Sequence, residues 1–323
     1  MTGIDAVETA ENYQRCAQLE AAGRSPSYET LALAVANDQE ILAFLGGLPP
    51  LKRQPNLLFA AARAVLGGAP DPRSLHELVI LRSEVLRHVM LTRRTQTNEA
   101  ARCSVLLPAL ASLEGPLALL EVGAAAGLTL LPDVYSYDYD GHRLTGLDPD
   151  APILRCRPLG PVPLPSRVPE VIWRAGIDLD PLDVMSDDDV AWLSCLIWPG
   201  EAERAERLHQ AVAAARRRPP VIHRGDLLDD LAQVAADAPA DSTLVVYHSA
   251  VLAYVGEDKR RAFADAVSQL GAVWLSNEGD RVLHCVGIAG VDPGSFVLVR
   301  DGREILARTD PHATWIEWSG TRP

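Results

Sequence analysis

The stretch Leu119-Leu120-Glu121-Val122-Gly123-Ala124-Ala125-Ala126-Gly127-Leu128 decides how this chain is read. An apolar run stops at an acidic residue and crosses small residues bounded by glycines. It then continues into a segment from Gly127 to Leu131 that reads as the start of a helix. A buried strand, a turn tight enough to need glycine, and a helix N-terminus facing a ligand open a nucleotide-binding α/β sheet in that order. The dinucleotide fingerprint Gly-x-Gly-x-x-Gly is not met, because Ala125 and Leu128 stand where it needs glycine. Gly-x-Ser-x-Gly is absent as well, which argues against a hydrolase elbow.

Composition bounds the rest. The 323 residues are 48% hydrophobic, enough to bury a large core. A net charge of -13 argues against nucleic acid as the main partner, since phosphate binding needs clustered Lys and Arg. The run Arg216-Arg217-Arg218 precedes Pro219-Pro220 and reads as the C-terminus of a helix, where cations are favoured. Five cysteines (16, 103, 156, 195 and 285) form no Cys-x-x-Cys pair, and the eight histidines do not fall at metal-ligand spacing, so no metal is expected. Without a signal-like N-terminal segment or an apolar run of membrane length, the expectation is a cytoplasmic, reduced protein with a small-molecule partner and no membrane. Oligomeric state stays open.

Organisation follows from periodicity. Residues 1–115 read as an all-helical cap, with helices over Tyr28–Leu45, Leu57–Leu66, Leu75–Met90 and Asn98–Leu113. Residues 116–323 alternate strands and helices. Strands are expected at 117–122, within 171–181 together with its following turn, at 221–228 ending in Gly-Asp-Leu, and at 243–249, 272–276, 282–289, 295–300 and 303–308, with one helix from about Asp187 to Arg217 and another over 257–270. A hairpin and Pro-rich insertion spans about 134–169. Its turn is Asp140-Gly141, and Tyr135, Tyr137 and Tyr139 share one face, either packed or lining a pocket. Asp301-Gly302 marks a second hairpin. The fold class is therefore α/β: a seven-stranded, mostly parallel sheet closed by antiparallel strands, behind a helical N-terminus.

The acidic-x-Gly-x-x-x-Gly spacing of Glu121, Gly123 and Gly127 resembles the first motif of class I S-adenosylmethionine-dependent methyltransferases, with Ala125 in place of the usual middle glycine. Several further phrases resemble the bacterial domain-of-unknown-function family numbered 2332. They are Ser25-Pro-Ser-Tyr28, Thr97-Asn-Glu99 with Arg102, Leu120 to Gly127, Gly176 to Asp183, Trp192 with Trp198-Pro199, and His248-Ser249 with Tyr254. These resemblances imply a Rossmann-like sheet and S-adenosyl-L-methionine as cofactor. The cofactor would contact Glu121, Gly123, Ala124, Ala125 and Gly127. An acid at the second strand's end would take the ribose hydroxyls, with Asp178 favoured over Asp180 and Asp148. Asp226 and Leu227 would lie near the adenine.

Three residues at strand ends are candidates for chemistry. His248, closing the fourth strand, is either a general base or a wall of the crevice touching the cofactor. Glu278 closes the fifth strand and is the second candidate base, and Tyr254 is placed in the pocket wall. Before the first strand, Thr97 can cap a helix. Asn98 and Arg102 lie one turn apart, so Arg102 either forks onto the cofactor carboxylate or pairs with Glu99. Two functions remain: a methyltransferase acting on oxygen or nitrogen of a small molecule, and a non-catalytic cofactor-binding or sensing protein.

Overall fold

A computed structural model describes residues 3–279, 282 and 294–319, with side chains from residue 6 onward. The helices in chain order are α1 (Gly3–Arg15), α2 (Pro26–Asn37), α3 (Gln39–Gly46), α4 (Pro55–Leu66), α5 (Pro72–Thr92), α6 (Arg102–Ala111), α7 (Asp187–Cys195), α8 (Ala202–Arg217), α9 (Leu231–Ala235) and α10 (Glu257–Gln269). The strands begin with β1 (Leu117–Val122), β2 (Ser136–Tyr139), β3 (His142–Leu144), β4 (Ile153–Arg155), β5 (Arg157–Leu159) and β6 (Val171–Asp178). They continue with β7 (Val221–Arg224), β8 (Thr243–Ser249), β9 (Val273–Gly279), β10 (Phe296–Arg300), β11 (Glu304–Thr309) and β12 (Trp315–Trp318). Two units form: Met1–Thr97 with Ser186–Glu206, and Asn98–Met185 with Arg207–Pro323. Among the described residues no helix is long and apolar enough to cross a membrane.

The first unit is helical. Proline sits in the first turn of α2, α4 and α5, where its missing N–H costs no bond. The run 28–45 is two helices because Asp38 adopts an extended backbone and its carboxylate accepts from the Ile41 amide at 3.0 Å, capping α3. The expected helix 187–217 is likewise broken, between α7 and α8, where Pro199 lacks a donor and Gly200 takes φ +93°. Trp198 Nε1 donates to Asn56 Oδ1 and Trp192 Nε1 to the Arg94 carbonyl, both at 3.0 Å, and Ser25 Oγ donates to the Pro199 carbonyl at 3.1 Å. These bonds tie 186–206 to the N-terminal helices.

The second unit is built on a nine-stranded sheet, ordered β5-β12-β11-β10-β9-β8-β1-β6-β7. Strands β7, β6, β1, β8 and β9 run parallel, with Glu121 level with Gly176 on one side and Tyr247 on the other. Strands β10, β11 and β12 close the sheet as antiparallel neighbours, and β5 pairs parallel to β12 at the edge. Among the described residues the sheet thus has nine strands where seven were expected. The additions, β12 and β5, are 4 and 3 residues long, too short for a legible alternation. Pro158 is tolerated in β5 because that strand is an edge. The strand read at 282–289 lies outside the described residues apart from Val282. Both Asp-Gly turns are hairpins, with positive φ at Asp140, Gly141, Asp301 and Gly302.

The main departure follows β1. No α-helix forms there; residues 128–130 make a single 3₁₀ turn and the chain stays buried through Tyr135. Buried carbonyls need donors wherever the backbone is not helical. Side chains provide them: Tyr135 Oη donates to the Leu128 carbonyl (2.7 Å), Tyr247 Oη to that of Thr129 (3.0 Å), Arg174 Nη1 to Leu130 (2.9 Å) and Tyr137 Oη to Pro132 (2.5 Å). Backbone amides of Leu130, Val134 and Leu147 satisfy Gly127, Leu131 and Asp133. Tyr139 Oη donates to the Ser104 carbonyl at 2.6 Å, the acceptor whose helical partner would have been the amide that Pro108 lacks. The tyrosines are therefore packed carbonyl donors. Tyr137→Phe and Tyr139→Phe should each lower unfolding stability by about 1–3 kcal/mol in denaturant titrations, because each orphans a buried acceptor. The exposed Tyr254→Phe should leave the midpoint unchanged.

Candidate functional site

Among the five parallel strands, the chain passes from β1 to β6 and β7 on one side and then builds β8 and β9 on the other. The winding direction therefore changes between β1 and β8, the switch point of such a sheet. Glu121 lies at that point. It is 3% exposed, and its Oε1 accepts from the Thr129 hydroxyl, while Oε2 is buried with no hydrogen-bond partner among the described residues. Burial pushes its carboxyl up to about 8. The Thr129 bond and the Arg102 charge oppose that shift, and Asp178 reinforces it.

The loop from Gly123 to Gly127 is left-handed at Gly123 (φ +70°), Ala125 (φ +51°) and Gly127 (φ +71°). A Cβ on Gly123 would lie 2.5 Å from Val251 Cγ2, and one on Gly127 would lie 2.7 Å from Pro220 Cγ. Protein packing alone therefore requires both glycines. Ala125 carries the strain that its missing glycine leaves, and Ala250, just after β8, is left-handed as well (φ +61°). Two strained alanines thus flank the switch point.

Of the three candidate ribose acids, the structure brings one to the loop. Asp178 Oδ2 accepts from the Ala125 amide and Oδ1 from the Asp180 amide, both at 2.8 Å. Asp180 pairs with Arg224 at 2.6 Å. Asp148 takes both Nε and Nη2 of Arg217, at 2.8 and 2.6 Å, a pair that holds its carboxyl below the usual range. Asp226 follows β7. Burial raises its carboxyl, but Lys259 and the Leu228 amide outweigh that and hold it low. Leu227 is its half-buried neighbour.

His248 and Glu278 are brought together, and both are fully buried. Trp274 Nε1 donates to His248 Nε2 at 3.0 Å; an indole N–H can only donate, so Nε2 is an acceptor. Nδ1 then carries the proton and gives it to Glu278 Oε1 at 2.7 Å. Both ring nitrogens are thus engaged inside the protein. Glu278 Oε1 also accepts from the amides of Val251 and Leu252, at 2.8 and 3.0 Å, anchoring the turn after β8. Tyr254, on that turn, is 67% exposed.

Asn98 Oδ1 accepts from the Leu128 amide at 2.7 Å and so supports the loop from beneath. Glu99 Oε1 accepts from Arg207 Nε at 2.8 Å. Arg102 donates Nε to the Pro311 carbonyl (3.2 Å) and Nη1 to that of Ser249 (3.1 Å), so each of the two guanidinium forks has one nitrogen engaged within the protein. Thr97 caps nothing, since α6 starts at Arg102 with no side-chain cap. The sequence reading missed Asn277 and Thr309. Asn277 Nδ2 donates to Ser249 Oγ at 3.0 Å and Thr309 Oγ1 to Asn277 Oδ1 at 2.8 Å, a buried polar chain whose members lie far apart in sequence. Folding also gathers Asp38, Glu40 and His76 within 4.8 Å, though Asp38 is engaged by the Ile41 amide and His76.

A family profile described as an uncharacterized protein conserved in bacteria (DUF2332) matches residues 10–318. The chain belongs to the DUF2332 family. Neither a curated protein nor a solved structure matches it. Two of the DUF2332 phrases now have physical roles: Trp192 and Trp198 fasten 186–206 to the helices, and Ser249 joins the polar chain beside Arg102. In this DUF2332 protein Gly123→Ala should cost about 1–2 kcal/mol for the left-handed backbone, and more for the overlap with Val251. Adding Val251→Ala should recover the overlap, giving a coupling of about 1 kcal/mol in a double-mutant cycle of denaturant unfolding. Additive losses would show that Val251 is not what excludes a side chain at 123.

Proposed function

We propose that this DUF2332 protein binds S-adenosylmethionine at the carboxyl ends of β1, β6 and β7 and transfers its methyl group to oxygen or nitrogen of a small acceptor. Taken in chain order, the five adjacent parallel strands lie 3-2-1-4-5 across the sheet, which supports a Rossmann-like reading. The observation that carries the proposal is Asp178. Its two oxygens are steered by the amides of Ala125 and Asp180, so the carboxylate is fixed against the Gly123–Gly127 loop. An ionised carboxylate only accepts, and its two oxygens match a pair of ribose hydroxyls. Asp226 and Leu227, at the end of the next strand outward, fit the adenine end.

Bound there, the cofactor would supply an electrophilic methyl on a sulfonium. The protein's own part is then chiefly orientation, which can contribute much of a transfer's acceleration. His248 and Glu278 serve it by holding the Val251–Leu252 turn, while Tyr254 offers the exposed hydroxyl on that turn. The excess of acidic residues favours a neutral or cationic acceptor over a polyphosphate.

Enclosure of both expected bases favours one second reading, a protein that binds the cofactor without using it. Calorimetry with S-adenosylmethionine, S-adenosylhomocysteine and NAD tests the proposal. The first two should bind and NAD should not. Asp178→Ala should weaken S-adenosylhomocysteine at least tenfold, whereas Asp148→Ala should leave affinity unchanged. Failure of both adenosyl ligands, or loss with Asp148→Ala alone, would overturn the reading. Clear binding with no methyl transfer to any acceptor would select the second one.

A further inference from the structure

Glu121 poses a question that packing does not answer. The groups facing it come from every element around it: Arg102 and Cys103 from α6, Thr129 from the turn after β1, Tyr135 ahead of β2, Asp178 from β6 and Tyr247 from β8. Most of their protons are directed elsewhere. Tyr247 Oη and Cys103 Sγ donate to the Thr129 carbonyl, Tyr135 Oη donates to that of Leu128, and Arg102 Nε and Nη1 donate to Pro311 and Ser249. Thr129 Oγ1 reaches Oε1, and among the described residues Oε2 is left without a donor. An ionised carboxylate with an undonated oxygen is costly in such surroundings, and the nearby Asp178 charge adds to that cost.

We propose that Glu121 is a neutral acid in the empty protein and gives up its proton when a cationic nitrogen of the ligand docks on Oε2, so that ligand uptake releases a proton. This rests on the cofactor reading above, because S-adenosylmethionine and S-adenosylhomocysteine both carry an α-ammonium group. In the step the carboxylic O–H bond breaks and its proton passes to solvent. The carboxylate left behind pairs with the ammonium, which keeps its own protons, and no electrons are exchanged. The same geometry defines a ligand class. A molecule with ammonium at this end satisfies Oε2, whereas an anion there would face Glu121 and Asp178 together. Burial, which pushes the Glu121 carboxyl up to about 8, agrees with a neutral acid at pH 7.

The test is calorimetry of S-adenosylhomocysteine binding to the full chain at pH 7, in phosphate and in Tris, whose different ionisation enthalpies report protons exchanged. The parent should release close to one proton, and its affinity should rise about tenfold between pH 6 and 7, one proton per binding event. Glu121→Gln should bind with no proton release and a flat pH profile. A parent proton count near zero would overturn the proposal. If S-adenosylhomocysteine does not bind, the cofactor reading fails, and the state of Glu121 is decided by denaturant unfolding of the empty protein from pH 5 to 8. The native state then holds a proton that the unfolded chain has lost, so the parent should lose stability relative to Glu121→Gln as pH rises. Parallel curves would overturn it. Should Glu121→Gln fail to fold, infrared spectroscopy of the parent at pH 7 must show a buried protonated carboxyl band; its absence is equally decisive.

Discussion

Residues 127–133 run through the interior of the sheet unit without forming an α-helix, so their carbonyls must be satisfied from elsewhere. Tyrosine hydroxyls at 135, 137 and 247, one guanidinium nitrogen of Arg174 and three backbone amides do this work. Much else depends on that arrangement. Arg174 forks onto Asp133 with two 2.8 Å bonds, fixing the far end of the segment to β6. Tyr137 and Tyr139 hold the hairpin sheet against the same core, and Thr129 is placed to donate to Glu121. The loop that would meet a ligand is thus held by specific polar bonds on an ordered base, the condition under which a site keeps its geometry.

The electrostatics of the unit follow from where polar groups had to be buried. Glu121, Asp178, Arg102, Asn277 and Ser249 lie at or near the carboxyl ends of the central strands, all buried. Arg102 and the Asn277–Ser249–Thr309 chain are engaged within the protein, and Asp178 is fixed by two amides. Glu121 Oε2, like Glu278 Oε2 at the end of β9, is a buried acceptor without a donor among the described residues. The His248–Glu278–Trp274 group answers a different need. It stabilises the turn after β8, where Ala250 is left-handed and Val251 packs on Gly123. Polar groups at strand ends can serve backbone geometry as readily as chemistry.

Sequence reading succeeded where the signal was local. The apolar run 117–122, the parallel strands, both Asp-Gly hairpins and Asp178's place beside the loop follow from short patterns whose physics is complete within a few residues. It failed where the deciding partner was distant. The missing helix after Gly127 depends on donors from Tyr135, Tyr137, Arg174 and Tyr247, and no window of sequence contains them all. The indole that donates to His248 Nε2 is 26 residues away, so no local pattern announces that contact. Gly123 and Gly127 both take left-handed backbone, and Val251 and Pro220 account for them without a ligand. Asn277 and Thr309 gave no motif, since neutral polar residues in strands carry no spacing rule.

The central claim is that the Gly123–Gly127 loop, Asp178 and Asp226 form one adenosyl-binding surface. A crystal structure of the protein soaked with S-adenosylhomocysteine addresses it directly. The account predicts ligand density along that loop, with the ribose hydroxyls on the Asp178 carboxylate, the adenine toward Asp226 and the α-ammonium within hydrogen-bond distance of Glu121 Oε2. Density elsewhere on the chain, or a ligand whose ribose sits on Asp148 or Asp180, would contradict it.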